Sequence, residues 1–151
     1  HWPAGIEARG ALTRFTGHLV DLMPTVVELA GATYPEQYHG QKVLPSEGVS
    51  LVPAFGGEKE RQEHPIYWEY AGNHAVRHGD WKLVAERSKD WELYHLSQNR
   101  SETSELSAEH PGQLQRLAAM YDAWAQRTGA KTHQQCQATK PSSQSQLFKL
   151  P

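Results

Sequence analysis

The chain has 151 residues, of which 38% are hydrophobic and 21% charged, with a formal net charge of −2 and a mean hydropathy of −0.70. That length accommodates one domain or parts of two, around a small and rather wet core. The near-neutral balance gives no electrostatic case for nucleic acid or an acidic membrane, and no apolar run is long enough to span a bilayer.

The opening His1-Trp2-Pro3 lacks an initiator Met, a basic stretch and an apolar targeting run, which suggests a chain cut within a larger protein. Trp2 to Ile6 reads as an extended piece entering a turn. A short amphipathic helix is predicted over about 21–30. Its carboxylate cap is Asp21, Pro24 sits where a missing N–H costs nothing, Leu22, Val26, Leu29 and Ala30 share a face, and Gly31 provides a left-handed stop. Asp21 is read as a cap rather than a metal ligand. Residues 32–63 are broken by prolines 35, 45 and 53 and several glycines, and read as loop. One helical turn is expected at 51–55, with Ser50 capping it. The charged run Glu58–Glu63 reads as a hinge, and a boundary between subdomains is placed there.

From His64 the period changes to two. Ile66–Tyr70, Asn73–Arg77, Trp81–Arg87 and Trp91–Leu96 read as four strands joined by short turns, so consecutive strands pair antiparallel. His78-Gly79-Asp80 is a tight turn. Trp81, Leu83 and Ala85 point one way; Lys82, Val84 and Glu86 point the other. Residues 110–127 place Leu114, Leu117, Met120, Tyr121 and Trp124 at helical spacing, between Pro111 and Gly129, and form the cover for the apolar face. Residues 130–151 have no period and read as a disordered tail.

The chemistry inventory is thin. Among nine histidines, His74 and His78 are four apart but fall on a strand and a turn, and no His-Glu-x-x-His motif occurs. The aspartates Asp21, Asp80, Asp90 and Asp122 are scattered, so no cage of adjacent carboxylates is visible. The single cysteine, Cys136, forms no internal disulfide, leaves the compartment open, and lies in the predicted tail with no base beside it. No catalytic residue and no metal ligand is assigned. Arg77 and Lys82 flank the Gly79 turn and read either as an anion-attracting pair or as a solvated face. Tyr70, Asn73 and His74 occupy the strand-to-strand loop and are the candidates for a pocket wall. The tryptophans read as packing between sheet and helix, with a sugar-stacking platform as the alternative.

Several pieces, in order, resemble the carboxy-terminal portion of a type I sulfatase of the arylsulfatase group. They are His1-Trp-Pro-Ala-Gly-Ile6, Asp21-Leu-Met-Pro-Thr-Val-Val-Glu-Leu-Ala-Gly31, Gly48-Val-Ser-Leu51, Tyr67-Trp-Glu69, Ala75-Val-Arg77, Gly79-Asp-Trp-Lys-Leu83, Trp91-Glu-Leu-Tyr94 and Glu105-Leu106. The resemblance implies an α+β architecture. A four-stranded antiparallel sheet packed by one long C-terminal helix occupies residues 61–129, and residues 1–60 form the closing part of the large α/β sulfatase domain. It also implies hydrolysis of sulfate esters by a formylglycine hydrate, made from Cys or Ser in a Cys/Ser-x-Pro-x-Arg motif, beside a calcium ion. Cys136 is followed by Ala138 and Lys140 where that motif needs Pro and Arg, so the formylglycine and calcium are expected upstream of this chain. The implied partners are the missing N-terminal sulfatase domain and a sulfate ester, with Tyr70, Asn73 and His74 on the cleft wall. A stand-alone sugar-binding or interaction module is the alternative.

Overall fold

A computed structural model describes residues 2–6, 10–57, 64–87, 89–131 and 135. The predicted hinge at 58–63, Cys136 and nearly all of the predicted tail lie outside the described residues. The chain falls into two compact units, His1–His64 and Pro65–Pro151.

In the first unit a 3-10 turn, Leu19–Asp21, leads into helix α1, Leu22–Leu29. The helix stops as expected: Gly31 has φ +59° and its amide donates to the Glu28 carbonyl, while the Ala32 amide reaches back to the Val27 carbonyl, a Schellman closure. The role expected for Asp21 is different. Its backbone is already helical (φ −77°, ψ −15°) and its carboxylate makes no cap bond to α1, because a helix cap needs an extended backbone to aim the side chain forward. One oxygen instead accepts from the His18 amide at 2.7 Å, completing a capping box on the 3-10 turn, and the other accepts from the Val49 amide at 2.9 Å.

Thr25 repeats this tie one turn later. Its hydroxyl donates to the Asp21 carbonyl at 2.6 Å and accepts from the Leu51 amide at 2.8 Å. Two rungs therefore hold the Gly48–Leu51 segment on the start of α1. Gly48 is required at this crossing, since a Cβ there would overlap the Val20 carbonyl. Helix α2, Val52–Phe55, follows, with the Ser50 hydroxyl accepting from the Val52 amide at 3.2 Å. Within the stretch expected to be loop, β1 (Gln37–Tyr38) and β2 (Gln41–Lys42) form a small hairpin. Its turn residues His39 and Gly40 have φ +49° and +75°, as a two-residue primed turn demands. Among the described residues of this unit the buried ones are Asp21 and Thr25, both polar, while Leu19, Leu22, Met23, Val26 and Leu29 are exposed.

The second unit has the opposite distribution. Strands β3 (Ile66–Tyr70), β4 (Asn73–His78), β5 (Trp81–Ala85) and β6 (Glu92–His95) make one antiparallel sheet in sequential order. Helix α3, Pro111–Thr128, covers one face. Register aligns Tyr67, Val76, Leu83 and Leu93 in one row across the sheet. Val76, Leu83 and Leu93 are fully buried with Leu117 of α3 beneath them, and Tyr121 completes the core. Burying each such side chain stabilises by about 1.5–3 kcal/mol. Tyr67 stacks on Trp124 with ring centroids 5.0 Å apart and planes within 3°. The edge strand β6 is closed by the chain that follows it: Glu105 accepts from the Leu93 amide at 3.0 Å, and the Leu106 amide donates to the Leu93 carbonyl at 2.9 Å. Such covering protects an otherwise open strand edge.

Candidate functional site

The β3–β4 connection is shorter than a loop. Tyr70 ends β3, Asn73 begins β4, and the turn is Ala71-Gly72 alone, with φ +54° and +89°. Both Glu69 oxygens are engaged: one accepts from the Gly72 amide at 3.0 Å, the other from the Tyr121 hydroxyl at 2.6 Å. Burial first, and this carboxylate second, push the Tyr121 phenol well above its ordinary range.

This turn separates the three residues expected on a pocket wall. Tyr70 and Asn73 are direct cross-strand partners and share the face turned away from α3, because side chains alternate along a strand. Tyr70 is 81% exposed. The Asn73 side-chain oxygen is buried without a hydrogen-bond partner among the described residues. His74 pairs with Glu69 on the opposite face. Its ring stands edge-on to Trp91 at 4.4 Å and 5.2 Å from Tyr121. Its Nδ1 lies 2.8 Å from the Gly72 carbonyl, and a carbonyl only accepts, so that nitrogen carries a proton. His78, expected in a turn, is the last residue of β4 and lies 3.1 Å from an Arg116 nitrogen.

Register brings together residues that the sequence reading treated separately. On the face away from α3, Trp68 lies opposite Ala75, and Arg77 lies between Ile66 and Lys82. With Leu96 and Glu102, the residues Trp68, Ala75, Arg77 and Lys82 line a cavity of about 420 Å³. Lys82 donates to both oxygens of Glu102 at 2.7 and 2.8 Å, which draws the 97–106 connection over this face. Tyr94 beside it is buried, and its hydroxyl donates to Glu92 at 2.7 Å. That bond, reinforced by burial, raises its phenol to about 12. Among the described residues no group of three or more His, Cys, Asp or Glu is placed to hold a metal ion, and no helix is long and apolar enough to cross a membrane.

No family model matches the chain. An uncharacterized sulfatase of Schizosaccharomyces pombe is 29% identical over 121 residues, covering 76% of this chain and 22% of that protein. Human arylsulfatase D is 35% identical over 74 residues, covering 49% of this chain and 11% of that protein. The chain therefore spans about a fifth of the length, or less, of these curated relatives. In three dimensions it is similar to Ps i-CgsB, crystallised with k-i-k-neocarrahexaose. The TM-score is 0.56 at 26% identity, over 70% of this chain and 23% of that one.

Proposed function

Because the chain is a homologue of the sulfatases, we propose that it is the carboxy-terminal part of an arylsulfatase-type sulfuric ester hydrolase. Residues 1–60 close the large α/β domain and residues 61–129 form the small subdomain. The partner is the amino-terminal sulfatase domain, and the substrate of the intact enzyme is a sulfate ester. The observation that carries this reading is the inverted first unit. It buries a carboxylate and a hydroxyl while Leu22 and Val26 of α1 stay 53% and 60% exposed. A helix that turns a continuous aliphatic face outward is one that another surface covers. The Asp21 and Thr25 ties make sense in that setting, since they hold α1 in a fixed attitude where no apolar residue among the described residues of this unit is buried.

In this reading the formylglycine and calcium of the family belong to the companion domain. This chain supplies packing and a wall of the substrate cleft, with Tyr70 and Asn73 facing the cleft and His74 bracing the turn from behind. The test is hydrolysis of an aryl sulfate, with and without calcium. The 151 residues alone should show no turnover, and a longer reading frame carrying a Cys/Ser-x-Pro-x-Arg motif should show it. Turnover by the 151-residue chain would overturn the reading.

A further inference from the structure

We infer that the sheet end beneath the first half of α3 is a proton-operated latch: uncharged His78 fastens α3 to β4 through Arg116, and acidification releases that half of the helix. This goes beyond the sulfatase reading and does not rest on it. Register places His78, Trp81 and His95 in one row across β4, β5 and β6, on the face of Leu83 that α3 covers. Trp81 is the centre of the row. His95 stands edge-on to its indole at 4.5 Å, and so, from the start of α3, does His110 at 5.0 Å. Arg116 reaches across from the same half of the helix, with one terminal nitrogen 3.1 Å from His78 Nδ1.

The direction of that bond fixes the charge state it needs. A guanidinium only donates, so His78 Nδ1 accepts and the ring proton sits on Nε2. A second proton would occupy Nδ1. The bond is then lost, and two cations face each other at close range. Nothing beside them offsets that charge. His95 and His110 only add positive charge as they gain protons, and the Ser97 hydroxyl, 3.1 Å from His95 Nδ1, is neutral. Asp80 of the β4–β5 turn and Glu109 before α3 are exposed and form no ion pair among the described residues. Arg77 and Lys82, the nearest strand cations, belong to the opposite face.

The second half of α3 is fastened without such a bond. Tyr121 donates to Glu69 at 2.6 Å, and Trp124 stacks on Tyr67 with centroids 5.0 Å apart. The imidazole in contact there, His74, is the cross-strand partner of Glu69, so a proton that it gains meets a carboxylate. Acid therefore acts on one end of the helix. The end that it frees carries Leu114 and Leu117, which cover the apolar row of Leu83 and Leu93.

The experiment is hydrogen exchange on the 151-residue chain at about pH 8 and about pH 5, the span over which imidazoles charge, with rates referred to those of an unfolded chain at each pH. The expected result is that protection of residues 114–118 falls on acidification by about fivefold relative to residues 121–126, the worth of one exposed contact of this kind. His78→Asn puts an amide oxygen near the place of Nδ1, an acceptor that takes no proton, and should remove most of that differential loss. Arg116→Gln, which takes away the opposing cation, should do the same, and serves where His78→Asn is poorly folded. Equal change in the two halves of α3 in the parent chain overturns the inference. So does a differential loss that persists at full size in either folded variant.

Discussion

The Tyr121 hydroxyl and the Glu69 carboxylate meet at 2.6 Å, and the second Glu69 oxygen holds the Gly72 amide. One carboxylate thus ties the β3–β4 turn to the middle of α3. Tyr121→Phe keeps the ring contacts with Trp91, Trp124 and His74 and removes only the donor. We expect destabilisation by about 1–2 kcal/mol, the range for a hydrogen bond to a charged group that is not fully buried. It should appear as a lower urea midpoint at unchanged slope. The pH sign follows from the raised phenol. The folded state favours the neutral form, so its contribution is complete below the unfolded value of about 10 and fades as pH climbs above it. A variant as stable as the parent at neutral pH would show that the tie is dispensable.

Gly48 and Gly56 make a matched pair of tests in the first unit. A Cβ on Gly48 would run into the Val20 carbonyl, whereas one on Gly56 would make an ordinary 3.5 Å contact with the Pro53 carbonyl. Gly48→Ala should force the two rungs at Asp21 and Thr25 apart, at a cost of about 1–3 kcal/mol. Gly56→Ala should be near neutral. Limited proteolysis within residues 19–51 should accelerate for the first and not for the second. Similar rates for both would mean that the crossing tolerates movement.

The four strands, their order and α3 were legible because of their spacing: Trp81, Leu83 and Ala85 recur at every second position in β5 between short turns that force antiparallel pairing, and Leu117 and Tyr121 are one helical turn apart. The β1–β2 hairpin was not, because its two-residue strands are exposed on both faces and leave no hydrophobic signal. Asp21 misled for a different reason. Its position before an apolar run is that of a cap, and only the 28-residue return to Val49 reveals its other use, a contact no local pattern contains. The separation of Tyr70 and Asn73 from His74 was within reach. Ala71-Gly72 as a two-residue turn fixes Tyr70 opposite Asn73, and period two then sends His74 to the other face. Counting that register further would also have placed Arg77 on the face of Trp68.

The two units should differ in local stability. Amides of β4 and β5 lie over a core of fully buried Val76, Leu83, Leu93 and Leu117. Among the described residues, those of α1 and the β1–β2 hairpin have no buried apolar residue of their own unit. Hydrogen exchange on the 151-residue chain should be faster across residues 19–42 than across residues 73–85, because opening free energy tracks buried apolar contact. Equal protection would mean that the first unit is stabilised by something other than the companion surface proposed for it.

Glu105 tests whether the closure of β6 depends on charge. Its carboxyl is held below the usual carboxylate range, chiefly by the Leu93 amide and then by Ser107. Because the folded value is the depressed one, the ionised form stabilises the fold at every pH above the unfolded value of about 4.3. That contribution is lost as pH falls through the folded value. Glu105→Gln keeps an oxygen that can accept from Leu93 but carries no charge. Its thermal midpoint should lie below that of the parent at neutral pH, and the gap should close as pH falls through the folded value of the parent carboxyl, which is then itself neutralised. A gap of the same size at both ends would locate the effect in side-chain geometry, and the edge of β6 would then owe its cover to the Leu106–Leu93 backbone bond rather than to the carboxylate.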